Sequence, residues 1–349
     1  MKPIQTAICS YGMSGLIFHG PLLEAHPGFS LVKILERSKN ESEGKHPGAE
    51  LVRSYDEILA DPRVELVIVN TPDYLHFDMA IKALEAGKHI VIEKPVTLKA
   101  SEADSIIDLA TSRKLMVSVF QNRRWDGDFL TVKEIIGSGE LGRLVSFESH
   151  FDRFRNYVQQ SWKEDHTVGA GTLYNLGSHM IDQALQLFGM PEFLFADVRG
   201  MRSGSKVDDS FDIFLHYPHM KCMVRGSYLV KEAGPRYILH GTDGSFVKSG
   251  LDPQEDALKA GVVPGSTGWG VEAKENYGIL NSLFDKKDHR VTIPTIPGNY
   301  LKFYDNIYQH LREGASLEVT AEQARDVVRI IEAAYESAKD GKVVEVGGK

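Results

Sequence analysis

Two short stretches of this chain carry residue types that could perform acid–base chemistry. The first is Glu93-Lys94-Pro95, which follows the β-branched run Ile90-Val91-Ile92. Because its residues do not alternate between apolar and polar, that run is predicted to be a strand buried on both faces. Pro95 cannot continue a strand ladder, so Lys94 stands at the carboxyl end, where open α/β sheets bind ligands. A lysine there could stabilise a developing negative charge, although a lone lysine after a strand is more often an ordinary surface residue.

The second stretch runs from Gly169 to Asp182 and enters a predicted helix that ends at Phe188-Gly189. Asn175 and His179 are four residues apart, so they would share one face of that helix. A histidine on an apolar helix is more often a core residue. The glycines just upstream favour a site, because they permit close approach of a ligand to the backbone.

The first 120 residues alternate predicted strands and helices, which is typical of a parallel, doubly wound sheet with right-handed crossovers. A strand from Ile4 to Cys9 leads into the turn Ser10–Gly15 and then a helix. This is the context in which backbone N–H groups at a helix N-terminus bind a pyrophosphate. The fingerprint is S-x-G-x-x-G, so a residue with a Cβ must make the first tight turn. A plain strand-to-helix turn is the alternative.

The predicted second strand ends in residues with conflicting preferences for the adenosine ribose. Glu36 lies about 20 residues after the glycine turn, where an acid would bind a 2′-hydroxyl and favour NAD. Arg37, Ser38 and Lys39 offer positive charge and a hydroxyl, which suit a 2′-phosphate. We therefore expect NADP, with NAD possible, unless all four residues form a solvated loop end.

Three further elements are predicted in this region. A helix is predicted from Leu75 to Ala86, and Ser101 with Asp104 resembles a capping box for a helix to Ala110. A strand from Met116 to Phe120 precedes Asn122. Thr71, Pro72, Lys94 and Asn122 would then share the sheet edge of the glycine turn.

The second half reads differently, and we predict a domain boundary at residue 122. Strand-like runs from Leu144 onwards lack long intervening helices, so they should form an open, mostly antiparallel sheet in an α+β domain of residues 123–349. The segment 251–277 is predicted to be a long loop, which could lie over the active site. Thr320 and Gln323 form a second predicted capping box, for a helix to Ala338 that could pack back on the first domain.

Composition sets broad limits. At 349 residues, about two domains are expected. The net charge of −8 argues against nucleic acid and anionic membranes as partners, and no apolar run is long enough to span a bilayer. The N-terminus has no signal-peptide pattern. Cys9 and Cys222 are expected to be reduced, which suits a cytoplasmic location.

Taken together, Ser10–Gly15, Glu93-Lys94-Pro95 and Gly171–Asp182 resemble the Gfo/Idh/MocA family of nicotinamide-dependent oxidoreductases, and the likeness runs through essentially the whole chain. The resemblance implies a Rossmann domain, a second domain that makes homodimer or homotetramer contacts, and hydride transfer to or from a sugar-like alcohol. It assigns Lys94 to polarising the reacting oxygen and His179 to acid–base catalysis. The family has aspartate where this chain has Asn175, which can orient the imidazole but brings no charge.

Three sets of site residues are expected in this chain, and no metal site is expected. The expected catalytic residues are Lys94, His179 and Asn175. The expected cofactor-binding residues are Ser10, Gly12, Met13, Ser14, Gly15, Glu36, Arg37, Ser38, Thr71, Pro72, His76, Glu93, Lys94 and Asn122. The expected substrate-binding residues are Arg153, Arg155, Trp162, Lys163, Asn175 and His179, of which the first four could equally be surface residues.

The resulting hypothesis is reversible oxidation of a secondary hydroxyl on an inositol or sugar, scyllo-inositol-like, to a ketone. Three alternatives stay open. One is a different sugar substrate, such as an aldose oxidised at its anomeric carbon. Another is a nicotinamide-assisted glycoside hydrolase. The third is a non-catalytic sensor that binds cofactor and a partner protein, which the asparagine at position 175 motivates.

Overall fold

The computed structural model describes residues 2–159, 164, 169–284 and 287–347. Its chain divides into two compact units. Unit 1 comprises Met1–Trp125, Pro253–Trp269 and Asn299–Arg325, and unit 2 comprises Asp126–Asp252, Gly270–Gly298 and Asp326–Lys349. Each unit is thus built from three stretches of chain, whereas the predicted boundary at residue 122 is a single cut.

Helices and strands occur in both units, and their bounds are given in chain order. The described α-helices are α1 (Gly20–Ala25), α2 (Tyr55–Leu59), α3 (His76–Glu85), α4 (Ala100–Arg113), α5 (Gly127–Ser138), α6 (Ser178–Phe188), α7 (Gln254–Lys259), α8 (Leu301–Glu313) and α9 (Ala321–Asp340). The described strands are β1 (Ile4–Ile8), β2 (Phe29–Leu35), β3 (Glu50–Val52), β4 (Leu66–Val69), β5 (His89–Ile92), β6 (Val117–Val119), β7 (Leu144–Asp152), β8 (Phe193–Arg199), β9 (Ser210–Tyr217), β10 (Met220–Ser227), β11 (Tyr237–Gly241), β12 (Gly244–Lys248), β13 (Gly278–Phe284), β14 (Lys287–Ile293) and β15 (Val344–Glu345).

Unit 1 contains a parallel sheet whose described strands are ordered β3-β2-β1-β4-β5-β6. Every described pairing in it is parallel. β4 and the apolar part of β5 are buried, which explains their unbroken apolar sequences. The order, with β1 next to both β2 and β4, is that of a doubly wound dinucleotide-binding fold, so the predicted Rossmann architecture is confirmed. The short β3, with exposed Glu50, gave no apolar pattern and was not predicted.

The start of α4 corrects one prediction. Ser101 and Asp104 do not form its capping box, because the helix begins at Ala100. Ala100 is the first residue of a buried apolar stripe, so helical backbone begins there and Ser101 lies exposed in the first turn. The Glu102 carboxylate instead accepts a hydrogen bond from the Lys99 N–H over 3.3 Å.

At α9 the predicted capping box is confirmed. Thr320 Oγ1 accepts from the Gln323 N–H over 3.3 Å, and Gln323 Oε1 accepts from the Thr320 N–H over 3.1 Å. The first turn of this helix belongs to unit 1, where Arg325 forms an ion pair of 3.1 Å with Asp104.

Unit 2 contains a second sheet, whose described strands are ordered β14-β13-β12-β11-β7-β10-β9-β8-β15. The described pairings are antiparallel except that of β7 with β10. The predicted mostly antiparallel sheet is therefore confirmed. β13 was not predicted because polar residues interrupt its apolar sequence. β14 was not predicted because its sequence, Lys-Asp-His-Arg-Val-Thr-Ile, is charged and largely exposed.

The segment 251–277 is not a helix-free loop as predicted, since it contains α7 and a short 3₁₀ turn, Lys274–Asn276. Its Gly, Pro and Asp content masked a six-residue helix with Glu255 in the first turn and Lys259 one turn later, 2.6 Å apart as an ion pair. In the part of the chain that is described, no helix has the length and apolarity needed to cross a bilayer. Cys9 and Cys222 are buried free thiols, as expected.

Candidate active site

A turn with two glycines connects β1 to the helical segment after it. Asn70 Nδ2 donates to the Ser10 carbonyl oxygen over 2.7 Å, and the Gly12 N–H donates to Ser10 Oγ over 3.4 Å. A Cβ on Gly15 would lie 2.2 Å from that same carbonyl oxygen, so only glycine fits. Serine at the first position of the fingerprint is therefore compatible with the tight turn, and its hydroxyl adds a hydrogen bond within it.

The outer side of this turn is open. Gly12 and Met13 are exposed, and a Cβ on Gly12 would meet only Ser10 Oγ, at 3.7 Å. A π-helical turn, Ser14–His19, follows with no side-chain cap at Met13. Turns of this kind recur at functional sites, and a pyrophosphate binds where backbone N–H groups and a helix N-terminus meet. The residues present therefore fit a dinucleotide.

A side-chain network that was not predicted starts at Tyr11 of this turn, in which Tyr11 and His46 are buried and Glu24 is exposed. Tyr11 Oη lies 2.6 Å from His46 Nε2, and His46 Nδ1 lies 2.5 Å from Glu24 Oε1. Burial, together with the nearby carboxylates of Glu24, Glu36 and Glu41, raises the pKa of Tyr11 to about 12. Tyr11 thus stays protonated and can donate to His46. No local pattern in the sequence predicts this contact, because its members lie up to 35 residues apart.

The acid at the end of β2 is engaged within its own loop. Glu36 is buried, and its two carboxylate oxygens accept from the Glu41 N–H at 2.9 Å, the Ser42 N–H at 2.8 Å and the Ser42 hydroxyl at 2.5 Å. Burial raises the pKa of Glu36, but these hydrogen bonds and Arg53 hold it below its ordinary value. Glu36 therefore acts as an anionic anchor for the loop after it.

Arg37, Ser38 and Lys39, which follow Glu36, are exposed. The Arg53 guanidinium donates to the carbonyl oxygens of Glu36 and Lys39, at 2.7 Å and 2.6 Å, and so fixes the backbone of this stretch. Lys39 pairs with Glu41 at 2.7 Å. Arg37 has no ion-pair or hydrogen-bond partner among the described residues, so its guanidinium is available to an anion from solvent.

The ends of β4, β5 and β6 bring the next predicted residues to one edge. Thr71 and Pro72 follow β4 and are partly exposed, and Asn122 opens a 3₁₀ turn after β6 and is buried. His76 is buried, with Nδ1 2.8 Å from the Pro95 carbonyl oxygen and Nε2 2.9 Å from that of Thr71. His76 therefore braces two strand-end loops against each other.

Lys94 is partly exposed directly after β5, and its peptide bond to Pro95 is cis. Its N–H donates to Glu93 Oε2 over 3.0 Å. The other oxygen of Glu93 accepts from Ser14 Oγ over 2.6 Å, and Ser14 lies in the π-helical turn beyond the glycines. The Glu93 carboxylate thus ties the main chain of Lys94 to the predicted cofactor turn.

In unit 2, Asn175 and His179 lie on one helical segment, but the segment is not regular. A π-helical turn, Leu173–Gly177, carries Asn175 and continues into α6, which carries His179. Asn175 is partly exposed and His179 is buried, with 6% of its surface exposed. Lys94 belongs to unit 1 and His179 to unit 2.

Asp208 fixes the start of this segment. Its Oδ2 accepts from the Leu173 N–H at 2.8 Å, and Tyr335 Oη donates to its Oδ1 over 2.6 Å. A Cβ on Gly171, whose φ is +106°, would lie 2.2 Å from Oδ1, so glycine is required there. Burial raises the pKa of Asp208, while Tyr335 and the backbone N–H groups act in the opposite direction.

Farther along α6, Gln183 is held by the strand behind it. Tyr237 Oη donates to Gln183 Oε1 over 2.7 Å, and Arg236 Nη2 donates to the same oxygen over 3.2 Å. All three side chains are buried. The segment Gly234–Tyr237 therefore positions the helix that carries His179.

A polar cavity of about 40 Å³ opens beside Asn175. It is lined by Arg155, Gln159, Glu164, Gly171, Thr172, Asn175, Arg202, Val207, Asp208 and Tyr228. The guanidinium carbons of Arg155 and Arg202 lie 5.0 Å and 4.9 Å from the centroid of the Tyr228 ring. Arg202 Nη2 and Thr172 Oγ1 are buried without a hydrogen-bond partner among the described residues.

The predicted substrate residues meet different outcomes. Arg155 and Asn175 line the same cavity. Arg153 stands over the Phe151 ring at 5.1 Å and does not line it. Trp162 and Lys163 lie outside the described residues. Arg202, Thr172 and Asp208 were not predicted, since their separation in sequence hides their proximity.

Both halves of the chain match models of one oxidoreductase family. Residues 4–121 match the model for the NAD-binding Rossmann fold of an oxidoreductase family, and residues 133–346 match that family's C-terminal alpha/beta domain. The chain is 42% identical to scyllo-inositol 2-dehydrogenase (NADP(+)) IolW of Bacillus subtilis, over 98% of this chain and 95% of that protein.

Two solved structures are similar over nearly their whole length. The oxidoreductase yvaA of Bacillus subtilis has a TM-score of 0.95 and 42% identity, covering 99% of this chain and 98% of that one. An oxidoreductase from Bacteroides fragilis has a TM-score of 0.91 and 48% identity, covering 99% and 100%.

Proposed function

Because the chain belongs to the Gfo/Idh/MocA oxidoreductase family, we propose that it is an NADP-dependent dehydrogenase that reversibly oxidises a secondary hydroxyl of an inositol or sugar. The observation that carries the proposal is the Glu93 carboxylate, which joins Lys94 to Ser14 beside the glycine turn. It supports a reactive lysine at the edge where the family's cofactor turn lies. The similarity to a protein named for scyllo-inositol supports a cyclic polyol as substrate.

The cofactor would be held by the predicted residues of unit 1. The open turn at Gly12 and Gly15 would bind its pyrophosphate, and Thr71, Pro72 and Asn122 line the neighbouring strand ends. A bound nicotinamide supplies the acceptor and donor of hydride. The engaged carboxylate of Glu36 and the available guanidinium of Arg37 support NADP over NAD, because an acid that already accepts three hydrogen bonds is poorly placed to receive a ribose hydroxyl.

Lys94 and His179 would divide the proton chemistry. His179 would take the proton of the reacting hydroxyl, since a neutral imidazole can act as a base near neutral pH. Lys94 would carry a positive charge and stabilise the negative charge that develops on the oxygen. Asn175 would orient the substrate or the imidazole through its amide, without adding charge.

The cavity beside Asn175 supports recognition of hydroxyl groups. Arg202 Nη2 is a buried donor and Thr172 Oγ1 a buried donor or acceptor, and a polyol hydroxyl can pair with either. A volume of about 40 Å³ is large enough for a hydroxyl group or a water molecule. We therefore assign it one substituent of the substrate, with Arg155 at its wall.

We further propose that the enzyme is a homodimer or homotetramer. Phe195, Phe214 and Met223 form a row across neighbouring strands of the open sheet, and the two phenylalanines are 39% and 49% exposed. Contiguous exposed apolar side chains favour burial against another surface, here a second copy. The two free buried cysteines support a reducing compartment such as the cytoplasm.

The test is absorbance at the reduced-nicotinamide band with NAD and NADP separately, across a panel of inositols and hexoses. We expect NADP reduction with one or more inositols. Oxidation confined to the anomeric carbon of aldoses would contradict the substrate class. Release of sugar from a chromogenic glycoside without net cofactor reduction, or cofactor binding without any turnover, would contradict the dehydrogenase itself.

A further inference from the structure

A chain of hydrogen bonds in unit 1 runs from α8 to the carboxylate next to Lys94. Tyr304 Oη, in α8, lies 2.6 Å from Nδ1 of His19, and Nε2 of His19 lies 3.1 Å from Oε1 of Glu93. His19 is the last residue of the π-helical turn that follows the glycines. The predicted site residues do not include His19 or Tyr304, although His19 stands between the glycine turn and Glu93.

The imidazole of His19 is fully buried and closely packed. Its ring centroid lies 4.4 Å from that of Phe120 and 6.3 Å from that of Tyr304. Both ring nitrogens have a partner, so rotation of the ring would break two hydrogen bonds inside a dry environment. When the imidazole is neutral, the phenol donates to Nδ1 and the Nε2–H donates to Glu93.

Glu93 is the point at which three segments meet. Oε1 accepts from Ser14 Oγ and from His19, and Oε2 accepts from the Lys94 N–H. The carboxylate therefore connects the predicted cofactor turn, the end of β5 and, through His19, α8. Without His19, Ser14 and the Lys94 main chain would be its remaining partners among these contacts.

We propose that His19 is a positioning residue that fixes Glu93 and thereby holds Ser14 and the Lys94 main chain in the arrangement that binds the cofactor. The inference rests on the proposed function, because it assumes that a nicotinamide dinucleotide binds at this edge. His19 makes no contact with the substrate in this role. Its effect reaches the cofactor only through Glu93.

The charge state of Glu93 agrees with this role. Burial raises the pKa of Glu93, but the His19 hydrogen bond and charge, the Ser14 hydroxyl and Lys94 lower it to about 2. The titratable groups that face it are His19, Lys94 and Tyr304, and burial, together with the Glu93 carboxylate, raises the pKa of Tyr304. Removal of His19 would take away two of the effects that oppose burial, its hydrogen bond and its charge, so the pKa of Glu93 would rise.

Two substitutions separate positioning from simple packing. A glutamine at this site places its amide N–H near the position of Nε2, and an asparagine places its amide near Nδ1. His19→Gln can thus keep the hydrogen bond to Glu93, whereas His19→Asn can keep only the hydrogen bond to Tyr304. If His19 served packing alone, the two variants would behave alike, because both remove the ring.

The experiment measures the Kd of NADPH by fluorescence titration at pH 7 for the full-length wild type and both variants. We expect His19→Asn to weaken binding about 10-fold or more, the loss of a hydrogen bond to a charged group, and His19→Gln to stay within about 3-fold of the wild type. His26→Asn is the matched control, because His26 also packs on aromatic rings and pairs with a carboxylate, Asp305, at 2.9 Å, away from Glu93. Its NADPH affinity should not change.

Equal weakening in both variants, or no weakening in His19→Asn, would overturn the positioning role. If His19→Asn does not fold, Glu93→Gln tests the same link from the carboxylate side, and an unchanged Kd there overturns it. A wild type that binds neither NADPH nor NADH would instead contradict the proposed function. The two failures are therefore distinguishable.

Discussion

Arg37→Gln should change which nicotinamide cofactor the protein prefers. Arg37 is exposed beside the end of β2, and it has no ion-pair partner among the residues that the structure describes. Its removal therefore should not disturb the fold, and the free energy of unfolding should stay within about 0.5 kcal/mol of the wild type. Any loss of cofactor affinity would then report on the missing contact with the 2′-phosphate.

The magnitude follows from the exposure of the group. A hydrogen bond to a charged group contributes roughly 1.5–3 kcal/mol, and about 1.4 kcal/mol corresponds to a tenfold change in Kd. Solvent and salt screen an exposed guanidinium, so the lower end of that range applies. We expect the Kd of NADP to rise about 10-fold and that of NAD, which lacks the 2′-phosphate, to change less than about 2-fold.

The assay is a fluorescence titration of both reduced cofactors with wild type, Arg37→Gln and Lys39→Gln. Lys39 is the matched control, because it lies two residues away with the same charge but is paired with Glu41 at 2.7 Å. Its substitution should weaken NADPH binding less than Arg37→Gln does. Equal weakening of NADPH and NADH in Arg37→Gln, or an unchanged NADPH affinity, would refute the reasoning.

Two further predictions concern the end of β5. Lys94→Ala should lower turnover about 100-fold or more in steady-state assays while circular dichroism stays native, and near-normal rates would remove Lys94 from the mechanism. Glu93 has a folded pKa of about 2 against an ordinary 4.5, so it contributes stability above pH 4.5 that is lost as the pH falls towards 2. At 1.36 kcal/mol per pKa unit this amounts to roughly 3 kcal/mol. Urea unfolding at pH 7 and pH 3 measures this effect. Between these two pH values the free energy of unfolding should fall less for Glu93→Gln than for the wild type. An equal fall in both proteins would exclude Glu93 as its source.

The sequence predicted a parallel, doubly wound sheet because buried parallel strands must be continuously apolar and their crossovers have one hand. β4 and the apolar part of β5 are such strands, and their ends locate Thr71 and Lys94 on one edge. The capping box at Thr320 was also predictable, because its two partners lie only three residues apart. Short-range patterns of this kind depend on backbone geometry alone.

Several charged and polar side chains of unit 1 serve the scaffold and not the candidate site. Arg123 of the Gln121–Asp126 run pairs with Glu255 at 2.6 Å, and Gln254 Oε1 accepts from Trp269 Nε1 and from the Tyr300 N–H. These contacts stabilise unit 1. A sequence motif shows which residue types recur together, whereas the contacts decide whether a residue serves the site or its scaffold.

What the sequence alone determined is the fold class, the glycine turn and the lysine at the strand end, because these follow from local periodicity and the chirality of the chain. Only the tertiary structure decided that Glu36 anchors its own loop and that His19 reaches Glu93. His19 and Glu93 lie 74 residues apart and His19 and Tyr304 lie 285 apart, and no local rule connects them. Burial brings them together, since polar atoms removed from water must find partners wherever the packed chain offers them.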